Sequence, residues 1–65
     1  MINTYGLKSK IIATGQTQAQ VAEKIGMSGQ TFSRKINNLV DFTASEISKL
    51  SELLDIIDKD SIFFV

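Results

Sequence analysis

Residues 17–38 read TQAQVAEKIGMSGQTFSRKINN, and this stretch decides the fold. Two helical patterns lie in it, separated only by Gly26, Met27 and Ser28. The first opens on Thr17-Gln-Ala-Gln20, a capping box in which a hydroxyl and an amide satisfy each other's free backbone donors. Val21, Ala22 and Ile25 form its apolar face, and Gly26 ends it. Ser28 is placed to cap the second helix, and Phe32 and Ile36, one turn apart, define its buried stripe. At about 100° per residue, the opposite face is centred on Arg34, with Gln30 and Asn37 beside it and Thr31 and Asn38 on its flank. That face carries amide, hydroxyl and guanidinium groups and no aliphatic residue.

So short a corner, built on a glycine, holds two helices at a steep angle of roughly 90–120°. The second helix then stands out from the body with its polar face free. A helix presented in this way fits the major groove of double-stranded DNA, about 12 Å wide. Arg34 would pair in bidentate fashion with guanine, and Gln30 with adenine. Lys35, Asn37 and Asn38 would reach phosphates from the end of the helix, and Gln18 would hold one beside the free amides of the preceding helix.

Working outward, the N-terminal flank predicts a helix starting near Asn3 or Thr4, either of which can cap it. Leu7 and Ile11 face inward, Tyr5 and Ile12 flank them, and Gly15 is a natural stop. Gly6 weakens this helix by about 1 kcal/mol relative to alanine. On the other side, Thr43-Ala-Ser-Glu46 is a second capping box, with Phe42 placed to staple onto Ile47. Ile47, Leu50, Leu54 and Ile57 then follow at spacings of three and four, with Leu53 beside them. Two heptads fall short of a leucine zipper, so the stripe reads as core. The ending DKDSIFFV holds Ile62, Phe63, Phe64 and Val65, which either pack on the domain's own core or bind a second copy.

Sixty-five residues make a single domain spanning 1–65. A chain of this size buries only about 60% of the surface it exposes when unfolded, which disfavours a deep enclosed active site. With no cysteine and no histidine, it has neither a thiolate nor the commonest general base and metal ligand. Its serines and threonines therefore have no imidazole to activate them. Asp55, Asp58 and Asp60 lack the loop glycine and distal glutamate of an EF-hand, and there is no glycine-rich phosphate loop. The expectation is a protein that is not an enzyme and needs neither metal nor cofactor. MINTYGLKSK lacks the apolar core of a secretory signal and no apolar run is long enough to cross a bilayer, so the expected location is the cytoplasm, with no membrane partner.

Net charge is zero but segregated. Residues 1–40 hold five cations (Lys8, Lys10, Lys24, Arg34, Lys35) against Glu23, a net of +4. Residues 41–65 hold Lys49 and Lys59 against six acids, a net of −4. An asymmetry of this kind suggests a polyanion partner for the basic half.

The stretch from Gln18 to Asn38 resembles the helix-turn-helix of the lambda-repressor-like family, most closely its small phage Cro-type and repressor-type members. The family pattern has a polar residue at the start (Gln18), alanine where the helices cross (Ala22) and glycine in the turn (Gly26). Apolar residues surround them, here Val21, Ile25, Met27 and Phe32. The resemblance covers about residues 3–57. There are three departures. Lys35 stands where an apolar residue is common, with Ile36 taking that packing role one position later; Asn38 replaces a terminal glycine; and Gly29 brings no side chain to an early position of the recognition helix. The resemblance implies an all-α domain of four to five helices around a central helix-turn-helix. It also implies a transcriptional regulator that occupies a double-stranded DNA operator in the nucleoid of a bacterial host. On that basis Ser28, Gln30, Thr31, Ser33 and Arg34 are expected to read bases, and Gln18, Lys35, Asn37 and Asn38 to hold phosphates. A homodimer is expected, at least on DNA, with Ile62, Phe63, Phe64 and Val65 at its interface. The rival expectation is a protein-binding module, such as an antirepressor that partners another phage regulator.

Overall fold

In the computed structural model, which describes residues 1–64, each helix begins at a side-chain cap. Asn3 accepts from the Gly6 amide and opens α1, Thr4–Ala13. Thr17 and Gln20 form the reciprocal box that opens α2, Gln18–Lys24. Ser28 opens α3, Gly29–Ile36. Thr43 and Glu46 form the second box and open α4, Ala44–Leu53. Asp58 opens a short α5, Lys59–Phe63. Among the described residues the chain is all-helical, and none of its helices is long and apolar enough to cross a membrane.

Three helices end in the same way. After α2, α3 and α4 the chain takes one residue in the left-handed region: Gly26 at φ 82°, Asn38 at φ 64° and Asp55 at φ 55°. The following amide then reaches back five residues: Met27 to Ala22 at 3.0 Å, Leu39 to Arg34 at 2.9 Å, Ile56 to Ser51 at 2.9 Å. This is the Schellman arrangement, which satisfies carbonyls that the helix end would leave unpaired.

The core gathers one stripe from each helix. Leu7, Val21, Ala22, Phe32, Ile36 and Leu50 have no exposed surface. The rings of Phe32, Phe42 and Phe63 meet edge to face, with centroids 5.9 and 6.0 Å apart, and so tie α3, the α3–α4 link and α5 together. The N-terminal residues are clasped between two elements. Asn38 accepts from the Ile2 amide at 2.7 Å and donates to the Ile2 carbonyl at 3.1 Å. The Asn3 amide donates to the Ile62 carbonyl at 2.6 Å, and the Thr4 hydroxyl to the Ile36 carbonyl at 2.7 Å.

Several expectations from sequence need correction. Ile62 and Phe63 are buried in the domain's own core, so they are not available to a second copy. The apolar face of α1 is only two residues wide and is completed by α5 packing over Gly6, where an added Cβ would lie 2.8 Å from Ile62 Cδ1. Phe64 is exposed, and Val65 lies outside the described residues. Tyr5 and Ile12 point to solvent rather than flanking the buried face of α1. Ile57 is 91% exposed, and Ile56 takes its place in the core. The left-handed turn at Asp55 ends α4 early and shifts the phase of everything after it.

Candidate nucleic-acid interface

The α2–α3 corner consists of Ile25, Gly26, Met27 and Ser28. Gly26 takes the left-handed conformation that lets the chain reverse without strain. Met27 is half-buried against the core, and Ser28 closes the corner by capping α3. Its hydroxyl accepts from the Thr31 amide at 3.1 Å and donates to the Thr31 hydroxyl at 2.9 Å. Helix α3 is held from behind by Phe32 and Ile36, both fully buried. Its other face is open: Gln30, Thr31, Arg34 and Asn37 are all exposed.

The side chains predicted to contact a ligand fall into two groups. The side chains of Gln30 and Arg34, one turn apart, form no hydrogen bond or ion pair among the described residues. Both are free to pair with something outside the molecule. Gln18, half-buried at the first position of α2, is likewise without a side-chain partner among the described residues. Thr31 is exposed, and its hydroxyl accepts from the Ser28 cap. Ser33 is half-buried, and Asn37 folds back to donate to the Ser33 carbonyl at 2.9 Å.

The second group has structural work instead. Lys35 does not reach outward; its ammonium donates to both oxygens of Glu46, at 2.6 and 2.9 Å, and its side chain is 11% exposed. The same Glu46 accepts from the Thr43 amide in the capping box, so one carboxylate fastens the start of α4 to the last turn of α3. Burial alone would raise the Glu46 carboxyl pKa. The hydrogen bonds from Lys35 and the Thr43 amide outweigh it and lower the pKa below its ordinary value. Asn38, assigned to phosphate from sequence, has its side-chain amide bound to Ile2 at both ends. Ser28 is occupied by the cap.

The Lys35–Glu46 pair was not foreseen, although Glu46 at the third position of a capped helix was a visible anchor. Leu39 and Val40 were also passed over. They are 75% and 49% exposed, and the signal in the sequence is an apolar pair beyond the end of the third helix.

No curated protein and no solved structure matches the chain. A family model described as "Protein of unknown function (DUF739)" matches residues 2–64, nearly the whole chain, and the protein belongs to that family.

Proposed function

We propose that the protein binds double-stranded DNA sequence-specifically and regulates transcription by occupying an operator and blocking polymerase. The observation that carries this reading is the open face of α3. The side chains of Gln30 and Arg34 stand there without hydrogen-bond partners among the described residues, on a helix anchored from behind by Phe32 and Ile36 and set off by a four-residue corner. Arg34 is the chain's single arginine and matches the O6/N7 edge of guanine; Gln30 matches the N6/N7 edge of adenine. The methyl of Thr31, an exposed residue, suits the methyl of thymine. Gln18 at the start of α2 and Asn37 at the end of α3 supply phosphate contacts, while Ser28 caps α3 and Ser33 is half-buried. The resemblance of residues 18–38 to Cro-type and repressor-type helix-turn-helix proteins supports the finer assignment to a phage or prophage regulator acting as a homodimer on DNA.

The test is selection from a random duplex pool at about 100 mM salt, a range in which phosphate-dependent binding remains measurable. The expected result is an enriched sequence containing guanine and adenine, whose affinity falls steeply with salt. Arg34→Ala is expected to cost about 1–3 kcal/mol in affinity for that sequence and to relax the preference at one base pair. A folded protein that enriches nothing would point instead to a protein-binding regulator.

A further inference from the structure

Helix α3 carries two cations, Arg34 and Lys35, both in its last turn, and the fold treats them in opposite ways. Arg34 is exposed, and its side chain has no hydrogen-bond partner among the described residues. Lys35 lies about 100° further around the helix. Its ammonium is turned onto α4, where it donates to Oε1 of Glu46 at 2.6 Å and to Oε2 at 2.9 Å. The two side chains are 11% and 20% exposed, so the pair is not a freely solvated surface contact. Glu46 is set in place independently of the lysine. Its Oε1 also accepts from the Thr43 amide at 2.9 Å, and its own amide donates to the Thr43 hydroxyl at 3.2 Å. The capping box thus fixes the carboxylate, and receiving Lys35 costs it little further freedom.

We propose that Glu46 is a specificity-determining residue: its carboxylate occupies Lys35 in place of a DNA phosphate and so lowers the affinity for duplex of arbitrary sequence. The inference rests on the DNA-binding reading above. A carboxylate that receives an ammonium through both oxygens offers it the same chemistry as a phosphate, two anionic acceptors at hydrogen-bond distance. Lysine–phosphate contacts are the part of DNA affinity that carries no sequence information. Each adds about 0.9 to the slope of log affinity against log salt. Holding Lys35 on α4 takes one such contact away from α3 and leaves Arg34, which suits a base edge, as the helix's free cation.

The loss falls harder on arbitrary sequence than on a preferred site. On arbitrary duplex the protein is free to settle in whichever register suits its cations. On a preferred site the base contacts of Gln30 and Arg34 fix the register, and a lysine on the flank of α3 must accept the phosphate positions that register presents. Neutralising Lys35 therefore widens the ratio of the two affinities, the quantity that decides occupancy among many competing sites.

Three variants test this: Glu46→Gln, Lys35→Met and the two together. Glutamine already fills the corresponding position of the Thr17–Gln20 box, so Glu46→Gln keeps the start of α4. Affinities for the selected duplex and for an unrelated one are measured from about 50 to 200 mM salt, on proteins shown to be folded by circular dichroism. Glu46→Gln is expected to bind the unrelated duplex about three- to eightfold more tightly at about 100 mM, with a slope steeper by about 0.9, and to gain less on the selected duplex. Lys35→Met is expected to leave the slope unchanged, and the double variant to lack the gain. A slope shallower by about 0.9 in Lys35→Met would show Lys35 already on phosphate and overturn the inference, whether or not Glu46→Gln folds. Unchanged binding by Glu46→Gln, or an equal gain on both duplexes, would overturn it too. So would a gain that persists in the double variant, since it would come from removing an acid and not from releasing the lysine. These results leave selection by the unaltered protein, and with it the DNA reading, standing. An unaltered protein that selects no duplex would remove that reading and the inference with it.

Discussion

Asn38 and Asp55 both stand in the left-handed region without being glycine, at φ 64° and 55°, and both end a helix, yet substitution separates them. Asn38 spends its side chain on the Ile2 amide and carbonyl, whereas Asp55 is exposed and its side chain forms no hydrogen bond among the described residues. Replacing each by glycine relieves the same backbone strain, roughly 1 kcal/mol for a residue of this type. Asp55→Gly is expected to be neutral or stabilising by up to about 1 kcal/mol, and Asn38→Gly to destabilise by about 1–2 kcal/mol through the lost bonds. Urea denaturation of the two variants would check the opposite signs. Gly6 makes a related point from inside a helix. Alanine there gains helix propensity, but its Cβ would meet Asn3 Nδ2 at 2.6 Å and Ile62 Cδ1 at 2.8 Å. Asn3 is the cap of α1 and Ile62 is the contact of α5, so neither yields cheaply. Gly6→Ala is expected to lose about 1–3 kcal/mol by the same assay, as overpacking does; a gain in stability would mean that α5 is not held against α1.

At the scale of elements, α3 and α4 are coupled through one carboxylate. Glu46→Gln keeps the capping box, since glutamine serves at that position, and removes the charge opposite Lys35. A loss of about 1–2 kcal/mol is expected, between the values for exposed and fully buried pairs. The pH dependence has a definite sign. The carboxyl pKa is lowered in the folded state, so its stabilisation is present above the unfolded value of 4.5 and is lost as pH falls through the folded one. Thermal melts from pH 6 down to pH 3 should show an acid loss that is smaller in Glu46→Gln.

These elements also show where sequence is informative. Both capping boxes, the stops at Gly15 and Gly26, and the Phe32–Ile36 stripe depend on residues within one or two turns of each other, and local pattern finds such things. The phase slip that buries Ile56 and exposes Ile57 depends on an aspartate adopting a glycine-like conformation, which no local rule announces. The fates of Lys35, Asn38, Ile62 and Phe63 were set by partners 11 to 59 residues away. The open face of α3 was legible because it is defined by what does not pack; the residues at its edge were not, because the fold had a use for them.

At the scale of the whole molecule, the separation of charge between the two halves survives folding only in part, since Lys35 is neutralised by Glu46. Arg34 thereby becomes the principal cation of α3's open face, which concentrates any base preference on one side chain. The clasp at the N-terminus carries a different consequence. Residues at a chain's ends ordinarily fray, and their amides exchange with solvent within moments. Here the Ile2 amide is held by Asn38, and the Asn3 amide by the Ile62 carbonyl, 59 positions along the chain. Each bond ties the start of the chain to a distant element, Ile2 to the turn after α3 and Asn3 to α5. Deuterium uptake followed by NMR should therefore find Ile2 and Asn3 exchanging at least about tenfold more slowly than unpaired amides. In this molecule the first residues borrow their order from partners at the far end of the sequence.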